Sequence, residues 1–143
     1  MEYQLNNLFY LSSEEIQSAT QKEYRQYFCG NLKRPQLLNF IRTENLEIGI
    51  SNYMFFQADK PHLHTRTADM VYILQGEYHI WLLKDNQKFV LKEGDFFSVP
   101  PQSPYASKAK AKTKVLFIKQ LKDSDKESVP LTIEIEEWLK LKI

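Results

Sequence analysis

The sequence is short of cysteine and of long apolar runs, and each shortage excludes a class of protein. Among its 143 residues is one cysteine, Cys29, so no disulfide can form within the chain. The apolar runs, such as 70–74, are far shorter than the roughly 18 to 20 residues that a membrane helix needs. Residues 1–15 lack the basic start and apolar core of a secretory signal. We therefore expect a cytoplasmic protein with no membrane partner, in which Cys29 is buried as a small apolar residue.

An excess of charge of one sign is also lacking. The formal net charge is +1, so no overall field favours nucleic acid. The run "KAKAKTK" places Lys108, Lys110, Lys112 and Lys114 on one side of any strand there, without the interleaved aromatic residues on which bases stack. We interpret this lysine row as a solvated sheet edge that discourages strand addition, and we predict no nucleic-acid partner.

The chain begins with a pattern that favours a helix. In "LSSEEIQSATQKEYRQYFCG", Ser12 and Glu15 have the spacing of a capping box, and apolar residues recur at helical spacing as far as Tyr27. Gly30 stands where such a helix would end. The pattern predicts a helix of about four turns within an N-terminal helical extension, residues 1–35.

Short β-rich runs separated by turn signals follow, which is typical of an antiparallel sandwich or barrel. The predicted strands are 36–42, 46–57, 70–74, 77–83, 88–91, 96–99, 105–108 and 114–119. We therefore predict an all-β domain, either a sandwich or a barrel, over residues 36–120. The charged segment "LKDSDKESVP" is interpreted as a solvated loop, and residues 121–143 would comprise a loop and a short C-terminal helix that packs Trp138 onto the barrel.

Two of the three histidines, His62 and His64, lie one residue apart. Because side chains alternate across a strand, both imidazoles would face one side, with Leu63 opposite. A turn that brings Asp69 back to the same face would complete a set of two histidines and one carboxylate, with positions left open for water or substrate. The HxH pattern alone is weak evidence, because exposed histidines are common on strands.

The residues around this pair have a longer pattern of spacings, which strengthens the evidence for a metal site. Four residues separate His64 from Asp69, and six more separate Asp69 from Gly76. Downstream, the stretch "GDFFSVPPQSPY" begins with Gly94 and has Pro100 six residues later. The two stretches resemble the two motifs of the cupin family, HxH-x(3,4)-E-x(6)-G and G-x(5)-P-x-G-x(2)-H.

The resemblance covers about residues 46–119 and is specific in its combination of spacings. It implies a small single-domain cupin, which is a double-stranded β-helix or jelly-roll barrel with a pocket inside it and often a bound divalent metal. One departure is Gln102, which stands in the place of the second motif's inner glycine.

The resemblance also implies a ligand set. His62 and His64 would be the histidine ligands, Asp69 would replace the family's glutamate, and Tyr105 would replace its last histidine. Aspartate is one methylene shorter than glutamate, so its reach depends on the backbone. Tyr105 would serve either as a phenolate ligand or as an acid/base group that contacts the substrate. Such ligands suit iron, manganese, nickel, zinc or copper.

A substrate wall is predicted from the strands beside this set. By the family's usual geometry Phe96 and Ser98 face inward and, together with Tyr78, bind a small, partly apolar ligand. The alternative for these residues is ordinary core packing. His79 and Trp81 alternate with Tyr78 and so lie outside, where the apolar face around Trp81 suggests a homodimer.

Two functions remain open on the sequence. The first is a metal-dependent cupin that acts on a small molecule by isomerisation, oxygenation or lyase chemistry, with the ion as Lewis acid or oxygen-activating centre. The alternative is a non-catalytic module that binds or senses a small molecule, in which the histidines line a polar pocket without metal. The sequence specifies neither the substrate nor the metal.

Overall fold

The computed structural model describes residues 1–120 and 125–143. Over these residues the helices are α1 (Ser13–Lys22) and α2 (Ile133–Lys140), and none is long and apolar enough to cross a membrane. The strands are β1 (Glu2–Tyr3), β2 (Arg25–Gly30), β3 (Phe40–Arg42), β4 (Glu47–Tyr53), β5 (Gln57–His64), β6 (Asp69–Gln75), β7 (Glu77–Leu82), β8 (Gln87–Lys92), β9 (Phe96–Val99), β10 (Tyr105–Ala109), β11 (Thr113–Lys119) and β12 (Lys126–Ser128).

The strands form two sheets. One has seven strands in the order β1-β3-β2-β4-β11-β6-β9, and the other has five in the order β12-β5-β10-β7-β8. From β4 onward the chain passes repeatedly between the sheets, and the strands it adds pair antiparallel. This is the double-sheet jelly roll, so the predicted all-β barrel is confirmed.

The main core lies between the two sheets. Val71 and Ile73 of β6 pack with Tyr78 and Ile80 of β7, so both sheets contribute their alternate side chains. Tyr78 and Ile80 of β7 point into the barrel, as the strand alternation predicted. Burial of such side chains contributes about 1.5–3 kcal/mol each, and it fixes the register of the strands that carry the candidate site.

Positive backbone dihedrals mark the motif positions. Gly76, between β6 and β7, has φ +90°, and a Cβ there would lie 2.7 Å from the Cα of Thr113, so only glycine fits. Gln102, in place of the inner glycine, has φ 65°. That conformation costs roughly 1–2 kcal/mol for an L-residue. Two hydrogen bonds hold it, from the Gln102 N–H to the His64 carbonyl (2.7 Å) and from its Nε2 to the Thr65 carbonyl (3.0 Å).

The N-terminal helix is shorter than predicted. The capping box is present, since Ser12 Oγ accepts from the Glu15 N–H at 3.1 Å. The prediction was wrong beyond Lys22, because the chain turns there and β2 pairs with β4 and β3 in the seven-stranded sheet. Residues 25–30, which we expected to be helical, pair as a strand and bury Gln26 completely, and this tertiary pairing outweighs the local helical spacing. Cys29 is buried, as predicted.

The C-terminal helix covers the outer face of the five-stranded sheet. Trp138 packs against Trp81 with 5.6 Å between ring centroids, and Ile135 and Leu139 complete the contact. The prediction that Trp138 packs onto the barrel is confirmed. The same contact leaves Trp81 only 4% exposed, so the surface on which the homodimer prediction depended is occupied by the chain itself.

The lysine row was interpreted wrongly. Lys108 is buried, and its Nζ donates to the carbonyls of Trp138 (2.7 Å) and Leu141 (2.9 Å) at the C-terminus of α2, where a cation is favoured. The row is broken because β10 ends at Ala109 and Lys112 lies in a turn with φ 67°. Both β10 and β11 have strands on either side, so neither is a solvated edge.

Candidate metal centre

The histidine pair lies on β5, between β12 and β10 in the five-stranded sheet. His62 and His64 are each 4% exposed, whereas Leu63 between them faces the other way. The ring centroids are 5.3 Å apart. The alternation of the strand thus brings both imidazoles to the barrel interior, as predicted.

Asp69 approaches the pair from the opposite sheet, where it is the first residue of β6. Its Oδ2 lies 3.8 Å from His64 Nε2, and one ligand atom from each of His62, His64 and Asp69 lies within 4.8 Å of the others. Donor atoms at about 2.1 Å from one ion lie roughly 3 to 3.5 Å apart, so small side-chain movements bring the three onto a shared ion. The shorter aspartate reaches the site.

Tyr105, on β10, faces His62 directly across the β5–β10 ladder. Its hydroxyl lies 3.0 Å from His62 Nε2 and donates a short hydrogen bond to Asp69 Oδ2. All four residues that the sequence assigned to the ligand set therefore meet at one point.

The hydrogen bonds at Nδ1 fix the tautomer of each imidazole. His62 Nδ1 lies 2.9 Å from the Lys60 carbonyl, and His64 Nδ1 lies 2.9 Å from Asp125 Oδ1. Carbonyl and carboxylate oxygens only accept, so each Nδ1 carries a proton, and in a neutral ring the Nε2 atom then keeps its lone pair. The Nε2 atom of His62 approaches Tyr105, and the Nε2 atom of His64 approaches Asp69. Metal-binding histidines usually have this orientation, with the other ring nitrogen donating to a protein acceptor.

Asp125 is a residue of the candidate site that the sequence reasoning missed. It lies just before β12 and is 6% exposed, although "LKDSDKESVP" was predicted to be a solvated loop; the first four residues of that segment lie outside the described residues. Its Oδ2 also accepts the backbone N–H groups of Arg66 (3.0 Å) and Thr67 (2.8 Å). Burial by itself raises the pKa of Asp125, but hydrogen bonds from Thr67, His64 and Arg66 outweigh it and hold that pKa well below its usual range.

The donor set has the chemistry of a cation site. Burial lowers the pKa of His62, so its ring is neutral near pH 7. Two imidazole lone pairs and a carboxylate then converge, with the single proton of the Tyr105 hydroxyl between them. Such an excess of electron-pair donors fits a divalent transition metal, and neutral imidazole with carboxylate is a ligand set that these ions accept.

Tyr105 is held in its protonated form. Burial raises the pKa of its phenol well above 10, and the charge of Asp69 raises it further. A phenol that donates to a carboxylate is suited to proton donation. These contacts favour the acid/base role of Tyr105 over the phenolate-ligand role.

A cavity of about 60 Å³ adjoins these side chains. At roughly 10–15 Å³ for each water it has room for about four waters or a few ligand atoms. Tyr78 lines this cavity, as predicted, and its hydroxyl donates to Ser107 Oγ at 3.1 Å. Val71 and Phe117 supply apolar wall.

Two predicted substrate contacts face away from the cavity. Phe96 is 58% exposed and Ser98 is also exposed, whereas Val99 is buried and Phe97 packs against the core. The prediction of Phe96 and Ser98 as inward residues was wrong by one step of the strand alternation. His79 lies outside the site, as expected, and pairs with Glu77 at 2.7 Å.

Comparison with known proteins agrees with this geometry. Residues 56–119 match the family described as cupin domain. The protein therefore carries a cupin domain. The matched segment holds all four residues of the predicted ligand set, whereas Asp125 lies beyond it. No curated protein sequence matched the chain.

Solved structures share the cupin fold at low sequence identity. KdgF from Halomonas sp. is 22% identical, with a TM-score of 0.51 over 57% of this chain and 74% of that one. The Streptomyces nucleoside dehydratase Pac13 is 12% identical, with a TM-score of 0.54 over 66% and 76%. The polyketide cyclase RemF from Streptomyces resistomycificus is 14% identical, with a TM-score of 0.55 over 69% and 70%. At these identities the likeness concerns the fold.

Proposed function

We propose that this protein is a metal-dependent cupin that acts on a small molecule held in the barrel cavity. One observation carries the proposal: the two Nε2 lone pairs of His62 and His64 converge with Asp69, while each Nδ1 proton is engaged behind them by a protein acceptor. Acceptors placed behind ligating histidines in this way fix ring orientation and raise ligand basicity.

His62, His64 and Asp69 would hold iron, manganese, nickel, zinc or copper. A bound ion of this kind supplies Lewis acidity or activates oxygen. Three protein ligands leave coordination positions open, and the cavity beside them gives a small molecule access to those positions.

Tyr105 is the candidate catalytic residue in this proposal. Its protonated hydroxyl lies against His62 and Asp69, so it can donate a hydrogen bond or a proton to a substrate oxygen bound at the same place. That single proton is donated to Asp69 in the structure, so it would reach a substrate oxygen once the carboxylate binds an ion instead. This arrangement suits isomerisation or lyase chemistry, in which a proton moves to or from an oxygen or its neighbouring carbon.

Titration of metal-depleted, untagged protein with Zn²⁺, Mn²⁺ and Ni²⁺ tests the proposal. We expect about one ion per chain and a rise in melting temperature for at least one metal. His62→Ala should abolish both effects, whereas His79→Ala, which removes the histidine on the outer face, should change neither. Absence of binding by all three ions, together with purified protein free of transition metal, would overturn the proposal.

One observation favours a second function, a metal-free module that binds or senses a small molecule. The Tyr105 hydroxyl donates its proton to Asp69 and lies beside His62, so the carboxylate has a hydrogen-bond donor without an ion. Under this alternative a small ligand would raise the melting temperature of metal-depleted protein without being converted. The metal titration separates the two functions.

A further inference from the structure

Three cationic side chains line the same cavity as the candidate metal ligands. They are Arg25 from β2, Lys119 from the end of β11 and Lys126 from β12, so they approach from both sheets. Among the described residues, the carboxylates that line this cavity are Asp59 and Asp69. Because Asp69 belongs to the ligand set, the remainder of the lining carries an excess of positive charge.

Arg25 is an exposed residue whose guanidinium nevertheless has defined side-chain contacts. Its Nε donates to Ser51 Oγ at 3.0 Å, and Ser51 is its partner across the β2–β4 ladder. The guanidinium carbon lies 5.2 Å from the ring centroid of Phe117 and 5.4 Å from that of Tyr24. A guanidinium held by one hydrogen bond and two aromatic faces is oriented before a ligand arrives, which lowers the entropy cost of binding.

From this arrangement we infer that the substrate is a small carboxylic acid, whose carboxylate binds Arg25 while its reacting end faces His62, His64 and Asp69. The inference rests on the proposed function, because it names the class of molecule that the same site would take. A planar carboxylate matches the guanidinium fork with two parallel N–H···O bonds. A cavity of about 60 Å³ suits an acid of a few atoms better than a phosphorylated sugar or a nucleotide.

The two lysines support this assignment by attraction through space. Lys126 lies opposite His64 in the β12–β5 ladder, and Lys119 is the last residue of β11. Like-charged groups at one opening raise the local concentration of anions and speed their entry. A neutral substrate would gain nothing from this charge.

Calorimetric titration of the metal-free protein tests the inference, with malonate, its neutral analogue malonamide and inorganic phosphate as probes. Metal-free protein keeps binding at Arg25 separate from any chelation of metal by malonate. We expect malonate to bind and malonamide not to bind. Arg25→Gln should weaken malonate binding about tenfold or more, and Arg34→Gln, an exposed arginine outside the cavity lining, should leave it unchanged.

Each outcome decides the matter. Equal binding of malonate and malonamide, or equal loss in Arg25→Gln and Arg34→Gln, overturns the inference even where zinc binds. Tighter binding of phosphate than of malonate overturns the carboxylate class. If Arg25→Gln fails to fold, Arg25→Lys keeps the charge without the fork, and undiminished malonate affinity in that variant overturns the bidentate assignment. Malonate binding through Arg25 in a protein that binds no metal supports the inference and refutes the proposed metal-dependent function.

Discussion

The segment that matches the cupin family and the segments on either side of it contribute different groups to one cavity. Residues 56–119 supply the atoms that converge on a candidate ion, namely those of His62, His64, Asp69 and Tyr105. The flanking segments supply Arg25, which faces the cavity, and Asp125, which lies behind His64. The first group could hold a metal, and the second sets the orientation and charge around it.

This division teaches that a shared motif does not by itself define a shared site. Asp125 reaches His64 because β12 pairs with β5, and Arg25 reaches the cavity because β2 pairs with β4. Two proteins with the same HxH spacing and different flanking strands would therefore hold their histidines and their substrates differently. The following substitutions test how far the two contributions are separable.

Removal of a ligand within the matched segment should have the largest effect. Asp69→Ala takes away the one carboxylate of the ligand set, and we expect metal content to fall below about 0.1 ion per chain. Asp95→Ala is the matched control, because the Asp95 carboxylate accepts from the Lys92 N–H in a turn outside the cavity lining. Elemental analysis of both variants gives the result, with circular dichroism to verify folding. Equal metal content in the two variants would contradict the assignment.

The next largest effect is expected from the flanking segment. In Asp125→Asn the side-chain carbonyl oxygen can still accept the N–H groups of Arg66 and Thr67. The amide nitrogen then takes the place of Asp125 Oδ1 beside His64 Nδ1, and because it only donates, it cannot accept the Nδ1 proton. The His64 proton then moves to Nε2 and its ligating lone pair is lost. We expect zinc affinity to fall about 10–100-fold, the range typical of acceptors behind ligands.

Calorimetry with zinc measures this change, and Glu127→Gln, an exposed acid on β12, is its control. Rescue by Asp125→Glu of part of the affinity would support the orienting role. Unchanged affinity in folded Asp125→Asn would show that the flanking carboxylate has no part in the site.

The flanking helix should contribute stability rather than chemistry. Trp138→Ala removes the ring that packs on Trp81, and for this half-buried side chain we expect a loss of about 2 kcal/mol in the free energy of unfolding. Ile133→Ala, at an exposed position of the same helix, should change stability by less than about 0.5 kcal/mol. Urea denaturation compares the two. A loss of zinc binding in folded Trp138→Ala would contradict the claim that this helix contributes stability alone.

The smallest expected effect is a pH dependence that originates within the matched segment. Burial holds the pKa of His62 below that of an unfolded histidine, about 6.5. As pH falls below about 6.5 the unfolded chain binds this proton first, so the free energy of unfolding decreases, by at most about 1.4 kcal/mol per pH unit.

Urea denaturation of metal-free protein between about pH 7.5 and pH 5 measures this slope. His62→Gln should show a shallower dependence, because glutamine binds no proton in this range. An identical slope in the two proteins would mean that His62 is not the titrating group.

Much of the fold was predictable from local signals, and the ligand set was predictable from motif spacings that resemble those of the cupin family. The alternation of β5 places His62 and His64 together, and the positive φ at position 76 favours glycine there. Short strands with regular turns indicated an antiparallel sandwich or barrel, and the resemblance to the cupin motifs implied the jelly roll. These features depend on residues within about one turn or one ladder of each other.

Where the prediction was wrong, distant pairing decided the structure. Residues 25–30 have a helical spacing but join β4, and Asp125 sits among other acids that no local pattern distinguishes from it. Phe96 and Phe97 are adjacent aromatic residues, so only the β6–β9 register decides which one faces inward. An error of one residue in the strand alternation therefore assigned Phe96 to the substrate site, although its ring is exposed.

The central claim is that His62 and His64 both present unprotonated Nε2 atoms to a shared cation. Long-range ¹H–¹⁵N correlation spectra of metal-free protein labelled at histidine nitrogen report the tautomer of each ring, and His79→Ala assigns the third signal. The account predicts Nδ1-protonated rings for both His62 and His64, with Nε2 resonances that shift when one equivalent of zinc is added. A proton on Nε2 of either ring, or Nε2 resonances that zinc does not move, would contradict it.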